Sequence, residues 1–361
     1  PVMDNSAASK ILAPDGATLA SALINTQITL NPEGRRAEFE KLGIPVVQAL
    51  HYRKGDASTW RDDPVGLPLM DVPFYLAQAE YAGVHDILVA SVTDTASDQV
   101  QPIAAQASAV VGKALALARL ARTANADKKV AILFWNYPPG EKNLGASYMN
   151  LPSSLESTLD ALRAAGYRTE ARDAATLTRD LQRLLKPFYR PGAVATEIDA
   201  LVRDGLADLL PLATYQQWFA GLPPAVQSAW VASVGQPGAS LFAVRRNGGV
   251  YFAVPRLQLG NVTILPQPPR SEPVDDGLLA KEKALYHSTN AAPSHAYMAT
   301  YLWTRAQFQA DALVHYGTHG TQEWLPGKER GLSVTDYPLL ALGDVPVVYP
   351  YIVDNIGEAI H

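Results

Sequence analysis

The sequence contains no cysteine. That absence excludes a disulfide framework, a thiolate metal site, an iron–sulfur cluster and a cysteine nucleophile. Any metal chemistry must therefore use histidine, carboxylate or water. A charge surplus is lacking too: 30 Lys and Arg stand against 35 Asp and Glu, a net −5 over 361 residues. No broad basic face for nucleic acid follows from that balance. Long apolar runs are missing, and the longest apolar helix candidate carries Gln106, Lys113 and Arg119. No membrane span or signal peptide is expected. Neither Walker nor G-x-G-x-x-G spacing occurs, so no nucleotide site is expected.

What is present is a globular composition, 48% hydrophobic and 18% charged. The length exceeds one ordinary core and implies more than one domain. A start at Pro1 rather than Met, and a stop at His361 just after a helix-like acidic stretch, suit an internal piece of a longer protein. Asp86–Val92 has the β-branched texture of a buried strand. Val100, Ile103, Ala107, Val110, Ala114, Leu117 and Ala121 recur at helical spacing, and Val130–Trp135 is a second strand. Together they predict a βαβ unit and a parallel sheet.

Farther on, Ser153 and Glu156 stand at the spacing of a capping box, with Gly166 as the helix stop. Ala174–Leu185 and Thr196–Leu209 predict helices. The aromatics Tyr215, Trp218, Phe219 and Trp230 predict a core patch. Gly248 and Gly249 predict a turn before a strand, and Asn261–Leu265 another strand. A helix is expected over Ser294–Gln309 and a short strand over Ala312–His315. The expected fold is α/β, with Rossmann-like parallel-sheet layers and helices on both faces. An α/β domain over 1–125 would precede a second over 126–361, which holds an inserted helical segment, 174–235, and the candidate site.

The densest chemistry is His315-Tyr-Gly-Thr-His319-Gly-Thr-Gln-Glu323. Two imidazoles and a carboxylate at steps of four would share a helical face, but Gly317 and Gly320 favour a strand followed by a glycine loop. Loops at the carboxyl ends of parallel strands are where α/β proteins hold ligands. Imidazole and carboxylate suit a borderline divalent ion such as Co²⁺, Ni²⁺ or Zn²⁺, and equally a proton-abstraction site. The plainer alternative is hydrogen-bonded histidines beside a tight turn. H-E-x-x-H spacing is absent, which disfavours a zinc hydrolase. Tyr286, His287 and His295 form a second group, each able simply to cap a helix. Arg270 and Lys328 lie in Pro/Gly-flanked loops and could hold ligand carboxylates. The NYPPG loop, 136–140, reads as structural or substrate-facing.

These strings carry a resemblance. VHYGTHGTQEWLPGKERGLS (Val314–Ser333), the NYPPG segment within Val130–Tyr167, GNVTILPQPPR (Gly260–Arg270) and YHSTNAAPSHAYMATYLW (Tyr286–Trp303) resemble the large subunit of aerobic cobaltochelatase. The porphyrin-binding H subunit of magnesium chelatase belongs to the same superfamily. The stretch around Tyr349-Pro350-Tyr351 is closer to the cobalt branch. The resemblance implies a cytoplasmic subunit that binds a tetrapyrrole and takes part in ATP-dependent Co²⁺ insertion in cobalamin biosynthesis. Its substrate would be a corrin precursor of the hydrogenobyrinic acid a,c-diamide type. ATP would be used by AAA+ ATPase and companion chelatase subunits. Glu323 would accept pyrrole protons, with His315, His319 and Glu323 as metal ligands or second base. Arg270, His287, His295, Lys328 and Tyr286 would bind the ring. The alternatives are a magnesium chelatase H-type subunit acting on protoporphyrin IX and a non-catalytic tetrapyrrole- or metal-binding module.

Overall fold

A computed structural model describes residues 7–137, 139–146, 149–272, 291–317 and 320–350. The chain forms two compact units. The first takes Pro1–Arg122, Gly327–Leu339 and Gly343–Pro346, and the second takes Thr123–Pro326, Leu340–Leu342 and Val347–His361.

The first unit holds a sheet of β1 (Leu23–Asn25), β2 (Val46–Tyr52), β3 (Ile87–Asp94) and β4 (Gln99–Pro102), in that spatial order. β1, β2 and β3 run parallel, and β4 is antiparallel at the edge. Side-chain alternation sends Val47 and Leu88 to one face, against Val110, Ala114 and Leu117 of the helix Ala104–Arg122. Leu50, Tyr52, Val89 and Val92 pack with Trp60 in a separate cluster.

The second unit is built on β5 (Val130–Phe134), β10 (Val262–Pro266) and β11 (Ala312–Tyr316), flanked by β9 (Leu257–Leu259) and β12 (Val347–Val348). The spatial order is β12-β11-β5-β10-β9, with β9 the antiparallel edge. Every residue of β5 and β10 is buried, as expected of parallel strands covered on both faces. Leu155 and Leu159 of the helix Leu151–Ala164, with Leu177, Leu181 and Leu184 of Ala174–Tyr189, close the core over Ile132, Phe134 and Ile264. A separate antiparallel sheet joins β6 (Ala207–Pro211), β8 (Gly249–Pro255) and β7 (Ala243–Arg246). Asn247 and Gly248, both at positive φ, make the two-residue turn between β7 and β8.

Several expectations are corrected. The βαβ unit does not exist as one sheet, because β3 and β5 belong to different units. The helix between them packs on β2 and β3 before the chain enters the second unit. Val100 lies in β4 rather than on that helix, and 69% of it is exposed. The expected helix 196–209 ends at Arg203, and the inserted segment 174–235 contains the strand β6. Asn150, not Ser153, caps the helix Leu151–Ala164. Glu156 instead accepts from the backbone N–H of Ala174 at 3.2 Å, at the start of the next helix. Residues 327–339 leave the second unit because the first holds them. Gln106 donates to Leu332 O and accepts from Val334 N, and Arg330 Nε donates to Leu67 O.

Candidate functional site at a parallel-strand edge

Three strands of the second unit, β5, β11 and β10, release their chains at the same edge. Trp135 N still donates to Tyr316 O, and Gln267 N to Phe134 O, each at 2.9 Å. The loops that follow are Trp135-Asn136-Tyr137, Gln267–Arg270, and Gly317 with the 3₁₀ turn Thr321–Trp324. A small cleft of about 40 Å³ lies among them, lined by Trp135, Tyr137, Gln267, Pro268 and Thr321. Asn136 is engaged within its own loop, donating to Gly140 O and Asn143 O and accepting from Tyr189 Oη. The NYPPG loop is thus held by its own side chain.

His315 sits one residue before the end of β11 and is 1% exposed. Neither ring nitrogen has a hydrogen-bond partner among the described residues. Leaving such a buried polar group unsatisfied costs about 1–3 kcal/mol. Burial pushes its pKa down to about 3, with the Glu323 charge opposing. The imidazole is therefore neutral throughout the physiological range, and a nitrogen lone pair is available. Its ring stacks on Tyr349, centroids 5.1 Å apart and planes at 23°.

The two glycines act by close approach. Gly317 has φ +130, and a Cβ there would stand 2.7 Å from Trp135 Cβ. A Cβ on Gly320 would stand 2.6 Å from His315 Nδ1 and 2.3 Å from Gln322 Oε1. Gly320 itself has an extended backbone, φ −107 and ψ 124. Its need for glycine is steric, not conformational.

Around His315 runs a polar network in which Glu323 alone is a site residue expected from sequence. Gln267 Nε2 donates to Tyr301 Oη at 2.9 Å, and Tyr297 and Thr321 share a hydroxyl contact of 2.9 Å. Gln322 Nε2 donates to Tyr349 Oη. Tyr349 in turn donates to Glu323, and burial and that carboxylate hold its phenol pKa far above the usual range. Full burial raises Tyr301 likewise. The signal in the sequence was the eight-residue helix His295–Leu302, apolar except for its tyrosines, His295 and Thr300, and buried at every position. Two tyrosines four apart on such a helix need polar partners inside.

The other predicted site residues divide. Glu323 is exposed and next to the network. Arg270 is 2% exposed; its Nη1 donates to Trp324 O at 3.5 Å, and the guanidinium lies 5.9 Å from the Trp324 ring centre. His295 is 2% exposed with both nitrogens engaged. Nε2 donates to Gly235 O at 3.0 Å, so Nδ1 must accept from Tyr215 Oη at 2.8 Å. The ring stacks on Trp230, centroids 5.3 Å apart, and burial lowers its pKa. Lys328 belongs to the first unit. Its ammonium donates to Arg61 O and Asp63 O and lies 4.8 Å from the Trp60 ring centre. Tyr286, His287 and His319 lie outside the described residues. Among the described residues, no group of three or more His, Asp and Glu side chains is placed to hold a metal. No described helix is long and apolar enough to cross a membrane.

Fold and site together define an α/β protein with a buried, neutral imidazole at a parallel-strand edge. The family model described as CobN/Magnesium Chelatase matches residues 2–361, and the chain belongs to that family. It is 32% identical over 94% of its length to the aerobic cobaltochelatase subunit CobN of Pseudomonas aeruginosa, covering 27% of that protein. It is 28% identical over 90% of its length to the magnesium-chelatase subunit ChlH of rice, covering 22% of that protein. The solved catalytic subunit of cobaltochelatase from Mycobacterium tuberculosis matches 97% of the chain at TM-score 0.74 and 28% identity, with 29% of that structure covered. The chain spans less than a third of the length of these relatives.

Proposed function

We propose that this chain is the tetrapyrrole-binding, metal-inserting part of a cobaltochelatase-type subunit, acting on Co²⁺ and a corrin precursor. The observation that carries this is His315: a fully buried imidazole with no hydrogen-bond partner among the described residues, kept neutral at the end of a parallel strand. Inserting a divalent ion requires stripping its water and removing two pyrrole protons. An imidazolium could do neither; a neutral imidazole can ligate the incoming ion or accept a proton. Glu323, exposed and steadied by the Tyr349 hydroxyl, is the proton acceptor in this proposal. His319 would complete the escort of the metal. An imidazole among the donors favours cobalt over magnesium, which prefers oxygen ligands and dehydrates reluctantly. Arg270, with Tyr286 and His287, would orient the ring's acidic arms. Lys328 has no part in this proposal, because two backbone carbonyls already hold its ammonium. ATP hydrolysis falls to partner AAA+ subunits.

The test replaces Glu323 by Gln in the full-length subunit, assayed with its partner subunits. Loss of a general base lowers rate by about 10²–10⁴-fold, with tetrapyrrole binding intact. Unchanged insertion would remove Glu323 from the role. Visible-spectrum titration with a cobalt-free corrin precursor and with protoporphyrin separates the branches: binding of protoporphyrin alone would favour a magnesium chelatase H-type subunit.

A further inference from the structure

His315 carries no hydrogen bond among the described residues, yet two tyrosine rings border it. Tyr349 stacks on it, and the Tyr301 ring centre lies 6.1 Å away with its plane tilted by 37°. Metal-binding imidazoles are ordinarily oriented by a hydrogen bond from the nitrogen that does not ligate. Ring packing takes that task here. One side chain ties the two tyrosines together. Gln322 is 3% exposed; its Nε2 donates to Tyr349 Oη, and its Oε1 accepts from Tyr301 Oη at 3.4 Å.

The direction of that amide is dictated from the Glu323 end. Tyr349 has a single hydroxyl proton and gives it to Glu323, so its oxygen can only accept from Gln322. Gln322 must therefore turn its NH₂ toward Tyr349 and its carbonyl toward Tyr301. The Tyr301 oxygen accepts in turn from Gln267 Nε2 at 2.9 Å. Every bond in the row Gln267, Tyr301, Gln322, Tyr349, Glu323 thus points toward the carboxylate. Hydrogen bonds aligned in this way polarise one another. Gly320 makes room for the row, since a Cβ there would stand 2.3 Å from Gln322 Oε1. We propose that Gln322 is a positioning residue for metal insertion, fixing through Tyr349 both the plane of the His315 imidazole and the place of the Glu323 carboxylate. This rests on the chelatase function proposed above, and adds to it the side chain that couples the metal ligand to the base. Removing the amide strands neither hydroxyl: Tyr349 keeps Glu323, and Tyr301 keeps Gln267 and Tyr297. Its loss therefore falls on orientation more than on folding.

The test is Gln322→Leu in the full-length subunit, assayed with its partner subunits, Co²⁺ and a cobalt-free corrin precursor. The kcat should fall about 10–100-fold while the KM for the tetrapyrrole stays within about twofold. The melting temperature should drop by no more than about 4 °C. Because the amide acts through Tyr349, the double variant with Tyr349→Phe should be no slower than the slower single variant, within about twofold. Multiplied losses in the double variant, an unchanged kcat, or a raised KM at constant kcat would overturn the positioning role while wild-type insertion upholds the function. If Gln322→Leu does not fold, Tyr301→Phe removes the other anchor of the amide and keeps a ring beside His315. It should show the same split between kcat and KM, and an unchanged kcat there overturns the role as well. A wild-type subunit that inserts no metal with its partners overturns the function and the positioning role together.

Discussion

Lowering the pH from 7 to 5 should loosen the second unit through His315, beyond what His295 contributes. In the folded protein this imidazole protonates only near about 3, whereas its ordinary value is 6.5. Between those values the unfolded chain carries the proton and the folded chain does not. The stability contributed by the neutral ring is therefore complete above the unfolded value and is lost as pH falls. Going from pH 7 to pH 5, the loss works out at about 2 kcal/mol, rising to about 4 kcal/mol near pH 3. Two kilocalories correspond to roughly a 25-fold gain in the opening equilibrium. Amide hydrogen exchange of Val130–Phe134 and Ala312–Tyr316, corrected for intrinsic rates, reads that change directly. His315→Gln, which cannot titrate, should lack it, and His295 contributes equally to both proteins and cancels. Equal losses of protection in wild type and variant would refute the account of a ring kept neutral by burial.

Other consequences are simpler to test. Gly320→Ala places a methyl 2.6 Å from His315 Nδ1, so overpacking should cost about 1–3 kcal/mol in denaturant melts and displace the imidazole. Tyr349→Phe keeps the ring stack on His315 but removes the hydroxyl from Gln322 and Glu323. A loss of about 1 kcal/mol is expected, with metal-insertion rate falling more than tetrapyrrole affinity. Lys328→Met strips the donor from Arg61 O and Asp63 O and should destabilise the first unit by about 1–3 kcal/mol, read by exchange in β2 and β3.

Much of the parallel-sheet character was legible because β5 is a continuous apolar run and β10 is broken only by Thr263, a pattern tied to burial on both faces. The βαβ unit across residues 86–135 was not, since local periodicity shows a strand, a helix and a strand but not which sheet each strand joins. The helix expected through Leu209 failed for a related reason. Ala207–Pro211 is a strand because it pairs with Tyr251–Pro255, forty or more residues away. At the site, Gly317 follows the end of β11, in keeping with a strand through His315. What sequence could not show was that His315 has no hydrogen-bond partner among the described residues while His295 has two, since both are histidines among aromatics. The capping role of Asn150 was hidden behind Ser153, and Pro152 inside the first helical turn was the cue for the earlier start.

The return of residues 327–339 to the first unit has a consequence during synthesis. That unit lacks its partner for Leu67 and Gln106 until about 200 further residues have emerged. At ~5–20 residues per second the wait is on the order of 10–40 s. The first unit therefore waits, its sheet complete but these loop contacts unmade, while most of the second unit is synthesised. A truncation after Arg122 makes that state permanent, and expression of residues 1–122 alone should give an aggregation-prone product.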